Sequence, residues 1–234
     1  KIIPSTWREI GFGLYGNSNS LSLRYQAYIM NGPISYNDGH KLRGSDFLRK
    51  GRQKGAESVG SNGNFTAKVD YYGLPGLKLG LGYYSGKTQT TDKSIDGSQV
   101  GLSMVAFDAR YIKNRFSARA QLVSASLSDT GKYNLLSGKD LGSKASGYYI
   151  EGAYNLLPLE NTQKLDLFVR YEDYNTHAET DGIPVNGSFH RKETTFGFSY
   201  HVANGAVFKM DYQSKGTVVD DSKGQFNVGL GVFF

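Results

Sequence analysis

Charged side chains recur at alternate positions inside otherwise apolar stretches of this chain. The basic set is Arg24, Lys68, Lys78, Arg110, Arg115, Arg119, Arg170 and Lys209, and the acidic set is Glu9, Asp70, Asp108, Glu151, Asp166, Glu172, Glu193 and Asp211. Most have apolar or aromatic residues on both sides, a period of two that gathers the charges on one face of extended chain. Eight cations face eight anions, so such a surface is neutral in total. Its chemistry is pairing across strands, or a transverse field acting on solutes in a water-filled space. A second cluster, Arg49, Lys50, Arg52 and Lys54, lies with Arg43 in a segment that holds Asp38, Asp46 and Glu57 as its acids, and is net positive.

Catalytic chemistry has little to stand on. His40, His177, His190 and His201 lack metal-ligand spacing and join no recognisable Ser or Asp motif with Glu179, Asp220 or Asp221. Gly11-Phe-Gly-Leu-Tyr-Gly16 matches the dinucleotide fingerprint by letter, but it sits within an alternating strand with no helix after it. Cysteine is absent, which removes disulfides, thiolate metal sites and a thiol nucleophile. No catalytic, metal-binding or cofactor-binding residue is therefore assigned, and no cofactor is expected. The basic cluster has no accompanying fold or aromatic arrangement that reads nucleic acid, so none is expected as a partner.

The elements that carry these charges are strands. The last ten residues, Gln225 to Phe234, alternate Phe226, Val228, Leu230, Val232 and Phe234 with Gln225, Asn227, Gly229 and Gly231. The same pattern recurs upstream. Thr6 to Gly16 sets Ile10, Phe12 and Leu14 on one face, and Ser20 to Met30 sets Leu21, Leu23, Tyr25, Ala27 and Ile29. Further strands carry Phe65 to Tyr71, Leu77 to Tyr83, Val105 to Tyr111, Phe116 to Leu122, Tyr148 to Leu156, Leu165 to Tyr171, Thr194 to Tyr200 and Phe208 to Tyr212. The connections alternate short and long. Asn17 to Asn19, Gly73 to Gly76, Lys113-Asn114, Pro158 to Asn161 and Ala203 to Gly205 are tight turns, and the others are long, the longest being Asn31 to Asn62 with one short helical turn expected in it.

An apolar face with no packed partner, repeated on every strand, fits lipid on one side and water on the other. Mean hydropathy is only −0.44, which such alternation produces by averaging. The expected fold is an all-β, antiparallel, up-and-down transmembrane barrel over residues 1–234, in which eleven strands are visible. With the tight turns at the periplasmic rim and the C-terminus in the periplasm, an odd count leaves the first and last strands parallel. N-terminal strands are therefore expected beyond this sequence, five completing a sixteen-stranded barrel and one or three also satisfying parity. Any targeting segment is likewise expected to have been removed or to lie outside it.

The segments Ser5 to Gly16, Gly51 to Glu57, Asp70 to Gly80 and Phe168 to His177 resemble outer-membrane porins of the Bacteroidota, in particular the phosphate-selective porin family. That resemblance implies the C-terminal part of a sixteen-stranded diffusion pore in a Gram-negative outer membrane, often trimeric. The expected function is passive, non-enzymatic passage of small hydrophilic solutes with a leaning towards anions such as phosphate. A structural or accessory barrel in a larger outer-membrane assembly is the alternative, and a rim-located hydrolase a more distant one. Expected partners are outer-membrane lipid, lipopolysaccharide and the solutes. The alternating charges would line the pore, and Arg49, Lys50, Arg52 and Lys54 would form a positive constriction if their loop folds inward, or a solvated or lipopolysaccharide-contacting surface if it does not.

Overall fold

In the computed structural model, which describes residues 2–55 and 57–233, the period-two segments form β1 (Gly11–Ser18), β2 (Leu23–Met30), β3 (Ile34–Tyr36), β4 (Asn64–Leu74), β5 (Leu77–Lys87), β6 (Gln89–Thr90), β7 (Gly101–Lys113), β8 (Phe116–Ser128), β9 (Lys144–Asn155), β10 (Lys164–Glu179), β11 (His190–Ala203), β12 (Ala206–Thr217) and β13 (Lys223–Val232). Eleven of them make one antiparallel sheet in sequence order, omitting β3 and β6, which pair with each other. Each sheet neighbour is also the next long strand in sequence, as short up-and-down connections dictate. Gly76 shows the local cause at one turn: its φ of +80° follows Pro75 and closes β4 onto β5 at Leu74 and Leu77.

The two faces differ as the alternation requires. One bears Leu81, Leu122, Ile150 and Leu230, which are 57%, 52%, 58% and 75% exposed. An apolar face this open on every long strand would aggregate in water and is at home in hydrocarbon. Aromatic pairs lie on it: Tyr111 with Phe116 (6.4 Å) beside a tight turn, and Phe198 with Phe208 (6.0 Å), Phe196 with Tyr212 (5.5 Å) and Tyr148 with Tyr171 (6.2 Å) further along the strands. Phe234, expected on this face, lies outside the described residues.

The opposite face is concave, and its long-loop half is covered. Leu42, Phe47 and Leu48 from the segment between β2 and β4 are buried against Leu102, Met104, Val123, Ala125 and Leu127. The apolar core of this molecule therefore sits inside the curve of the sheet. The sheet is open: among the described residues β1 pairs only with β2, and β13 only with β12.

Two expectations about elements change and a third holds. The first strand begins at Gly11 rather than Thr6, because the Asn31 side chain accepts the Ile10 amide (2.8 Å) and Trp7 turns inward to stack on Tyr84 at 5.3 Å. The connection between β8 and β9 contains a helix, α1 (Thr130–Ser137), which ends at Gly138 with φ +63°. Inside the long second loop the helical turn is the 3-10 segment Arg49–Gly51.

A pair of adjacent substitutions tests the two faces. Leu122→Arg is expected to cost about 2–4 kcal/mol of stability in bilayers if it lies near the midplane, and Gln121→Arg almost none; equal urea midpoints for the two variants would contradict the assignment.

Candidate functional site: a charged trough under an inward-folded loop

Cross-strand register arranges the concave face in rungs. One rung carries Asp70, Gly80, Asp108, Gln121, Tyr149 and Glu172 on successive strands. Two residues nearer the tight turns, the next carries Lys78, Arg110, Arg119, Glu151 and Arg170. A row whose only charges are acidic thus lies beside a mostly basic one, about 7 Å away at the usual strand rise.

Most carboxylates are consumed locally. Lys68 Nζ reaches Asp108 at 2.6 Å and Asp70 at 3.3 Å, and Lys78 reaches Asp70 at 3.3 Å. Gly80 makes this cluster possible, since a Cβ there would stand 2.5 Å from the Asp108 carboxylate. Arg119 Nε donates to Glu151 at 3.0 Å, and Arg170 bonds Glu172 at 2.9 Å, approaches Glu151 at 3.8 Å and lies over the Tyr149 ring at 4.1 Å. Glu193 accepts from Gln213 at 2.7 Å and from the Tyr174 hydroxyl, and Asp211 accepts from Asn227 at 2.7 Å. Asp166 lies 3.5 Å from His201.

Cations are left over. Among the described residues Arg24, Arg110 and Lys209 have no carboxylate within 4.0 Å, although Arg24 stands opposite Asp70 in register. Arg110 is flanked in register by two further cations, Lys78 and Arg119. Like charges placed directly opposite each other on a sheet are destabilising. Arg110, Arg119 and Lys209 share a concavity of about 890 Å3 at the tight-turn end.

Two of the expected wall residues lie outside the strands, although Arg115 still borders the concavity that Arg110 and Arg119 line. Glu9 precedes β1 and accepts a hydrogen bond from the Trp7 indole; burial holds its carboxyl above the usual range. Its strand position was read from alternation, which the inward turn of Trp7 interrupts. Arg115 occupies the turn after β7, where its guanidinium donates to the carbonyls of Asn155 (2.8 Å) and Leu156 and lies 4.9 Å from the Tyr154 ring. The free carbonyls beyond β9 capture it.

The long second loop does fold over the concave face, and its seat is polar as well as apolar. The buried Tyr133 of α1 accepts the Leu42 amide at 2.8 Å and donates to the Leu42 carbonyl at 3.2 Å. Asp140 accepts the Gly44 amide at 3.0 Å, and Thr176 Oγ1 donates to the Gly44 carbonyl at 2.6 Å. Burial pushes the Tyr133 hydroxyl pKa well up. Arg49, Lys50 and Lys54 point into solvent from the seated loop, while Arg52 is half-buried and donates to Thr6.

None of Tyr133, Asp140 or Thr176 was singled out from sequence; each acts on a partner 91 or more residues away, and no local pattern announces that. The histidines are structural where buried. His177 Nδ1 accepts the Asn186 amide (2.9 Å), so Nε2 donates to the Asp140 carbonyl (2.7 Å). His40 lies between Tyr36 and Tyr133, and burial lowers its pKa. His190 meets Asp173 at 2.7 Å.

An open, twisted antiparallel wall with an apolar outer face, a charged inner face and a loop folded inside is the architecture of a porin-like outer-membrane barrel. A porin structure refined at 1.8 Å resolution aligns with a TM-score of 0.53 at 12% identity, over 97% of this chain and 62% of that one. LpxR from Salmonella typhimurium aligns over 95% of this chain and 87% of its own at 9% identity, but with a TM-score of 0.36 it carries no argument. No protein-family model matches. An uncharacterised protein of Aquifex aeolicus (strain VF5) is 28% identical over 228 residues, covering 90% of this chain and 49% of that protein. The chain thus spans about half the length of the curated relative it matches.

Tyr133→Phe is expected to unseat the second loop, because it strands the buried Leu42 amide at a cost of about 1–3 kcal/mol. Faster proteolytic cleavage between residues 31 and 63, with the sheet intact, is the expected result; wild-type cleavage rates would show that the hydroxyl does not hold the loop.

Proposed function

We propose that the protein forms a passive diffusion pore for small hydrophilic solutes in a Gram-negative outer membrane, with a preference for anions. One observation carries this reading: among the described residues Arg110 has no carboxylate within 4.0 Å, and it lies between Lys78 and Arg119 on the concave face. In a wall packed only against itself that arrangement costs stability. In a water-filled lumen, solvent and passing anions offset the repulsion, and the cations clustered around Arg110 raise the anion concentration beside them. The open concavity beside Arg110 and the likeness to a porin fold support the same reading.

Closure of such a pore needs an odd number of further strands between β13 and β1, which run in the same direction, so that every pairing stays antiparallel and no edge is left in lipid. The C-terminal end of β13 then lies at the periplasmic rim with the tight turns. Assembly as a trimer, and contact of the rim with lipopolysaccharide, belong to the same reading. Inorganic phosphate, the solute that the resemblance to phosphate-selective porins names, is its narrowest form.

Arg110→Ser is expected to shift the reversal potential in a KCl gradient towards cations, more at 0.1 M than at 1 M salt, since screening shortens from about 10 Å to about 3 Å. Replacing Arg49, Lys50, Arg52 and Lys54 together with Ser is expected to shift it in the same direction. A conducting channel whose selectivity ignores all of these changes would remove the anion preference, and a protein that never conducts would favour an accessory barrel.

A further inference from the structure

Residues 2–10 are the least expected part of the inner surface. Ile2 is buried in the core on the concave face, and Trp7 packs against Tyr84 of β5. The segment is tied to the second loop along its length. Arg8 forms a parallel backbone bridge with Lys54, Thr6 accepts from Arg52, and the Ile10 amide is held by Asn31 at 2.8 Å.

From this we infer that the positive constriction is built from two chain segments, and that Arg8 is a further selectivity-determining residue within it; the inference rests on the pore reading above. A parallel bridge sends Arg8 and Lys54 out on the same side of their short ribbon, and both are exposed. With Arg49, Lys50 and Arg52 they make five cations, none of which forms an ion pair among the described residues. Of the nearby acids, Asp46 is held by Arg43 at 3.0 Å and Glu9 accepts from Trp7, so Glu9 and the exposed Glu57 stand against five cations and the cluster is net positive. The backbone bridge matters as much as the charge: it fixes two cations side by side on elements anchored by buried Ile2, Trp7 and Leu48, so their fields add at one place instead of fluctuating on separate loops. The ligand class is a small inorganic or carboxylate anion in transit.

The test uses the complete protein in planar bilayers under a KCl gradient at low ionic strength, comparing Arg8→Ser, Lys54→Ser, Arg8→Lys and the wall variant Arg110→Ser. Arg8→Ser is expected to reduce the anion-to-cation permeability ratio roughly twofold or more, to an extent similar to Lys54→Ser, and Arg8→Lys to retain it. Thermal unfolding checks that each variant is folded, and Arg8→Lys separates loss of charge from loss of the bridge. If Arg110→Ser shifts selectivity while Arg8→Ser leaves it at the wild-type ratio, the two-segment constriction is overturned and the pore stands. Should Arg8→Lys fall with Arg8→Ser, backbone placement rather than charge is responsible and Arg8 is not a selectivity residue. A wild-type protein that does not conduct would remove both conclusions.

Discussion

Every backbone amide and carbonyl that faces hydrocarbon must be bonded within the protein, and the rest of this structure follows from that constraint. Antiparallel pairing in sequence order satisfies it with the least connecting chain, which is why the eleven long strands run as a simple meander. Side chains are then forced to alternate between lipid and interior. Leu122 next to Gln121, and Ile150 next to Glu151, are the same requirement met twice on neighbouring strands.

The interior uses the freedom that the outer face lacks. Towards the long loops it is filled by apolar packing, with Phe47 and Leu48 against Met104 and Val123. Towards the tight turns it is open and charged. The two halves adjoin: the seated loop covers the long-loop end of the concave face and leaves the charged wall open at the tight-turn end. Salt bridges such as Lys68 with Asp108 neutralise both partners locally, while among the described residues Arg110 and Lys209 have no carboxylate within 4.0 Å and Asp211 accepts only from Asn227.

The comparisons place the chain by shape more than by sequence. Alignment with a porin extends over nearly all of it at an identity that speaks only to the fold, and the Aquifex relative is matched over about half its length.

Alternation alone determined the long strands of the sheet from β4 onward, though not the short β6, together with the positions of Lys68, Arg110, Arg119 and Arg170, because in a membrane wall the two solvents impose the period directly on the residues. What tertiary structure decided lies wherever the chain leaves the wall. Whether the second loop folds inward depended on Tyr133, Asp140 and Thr176, residues far away in sequence whose partners no periodicity encodes. The retreat of Glu9 from the wall depended on Trp7 finding Tyr84, and the capture of Arg115 on carbonyls beyond the end of β9. Pairing also decided which charges matter, since residue types show eight cations and eight anions while only geometry shows which of them neutralise each other. Local pattern is enough where lipid reads every second residue, and long-range contact is needed where the chain packs on itself.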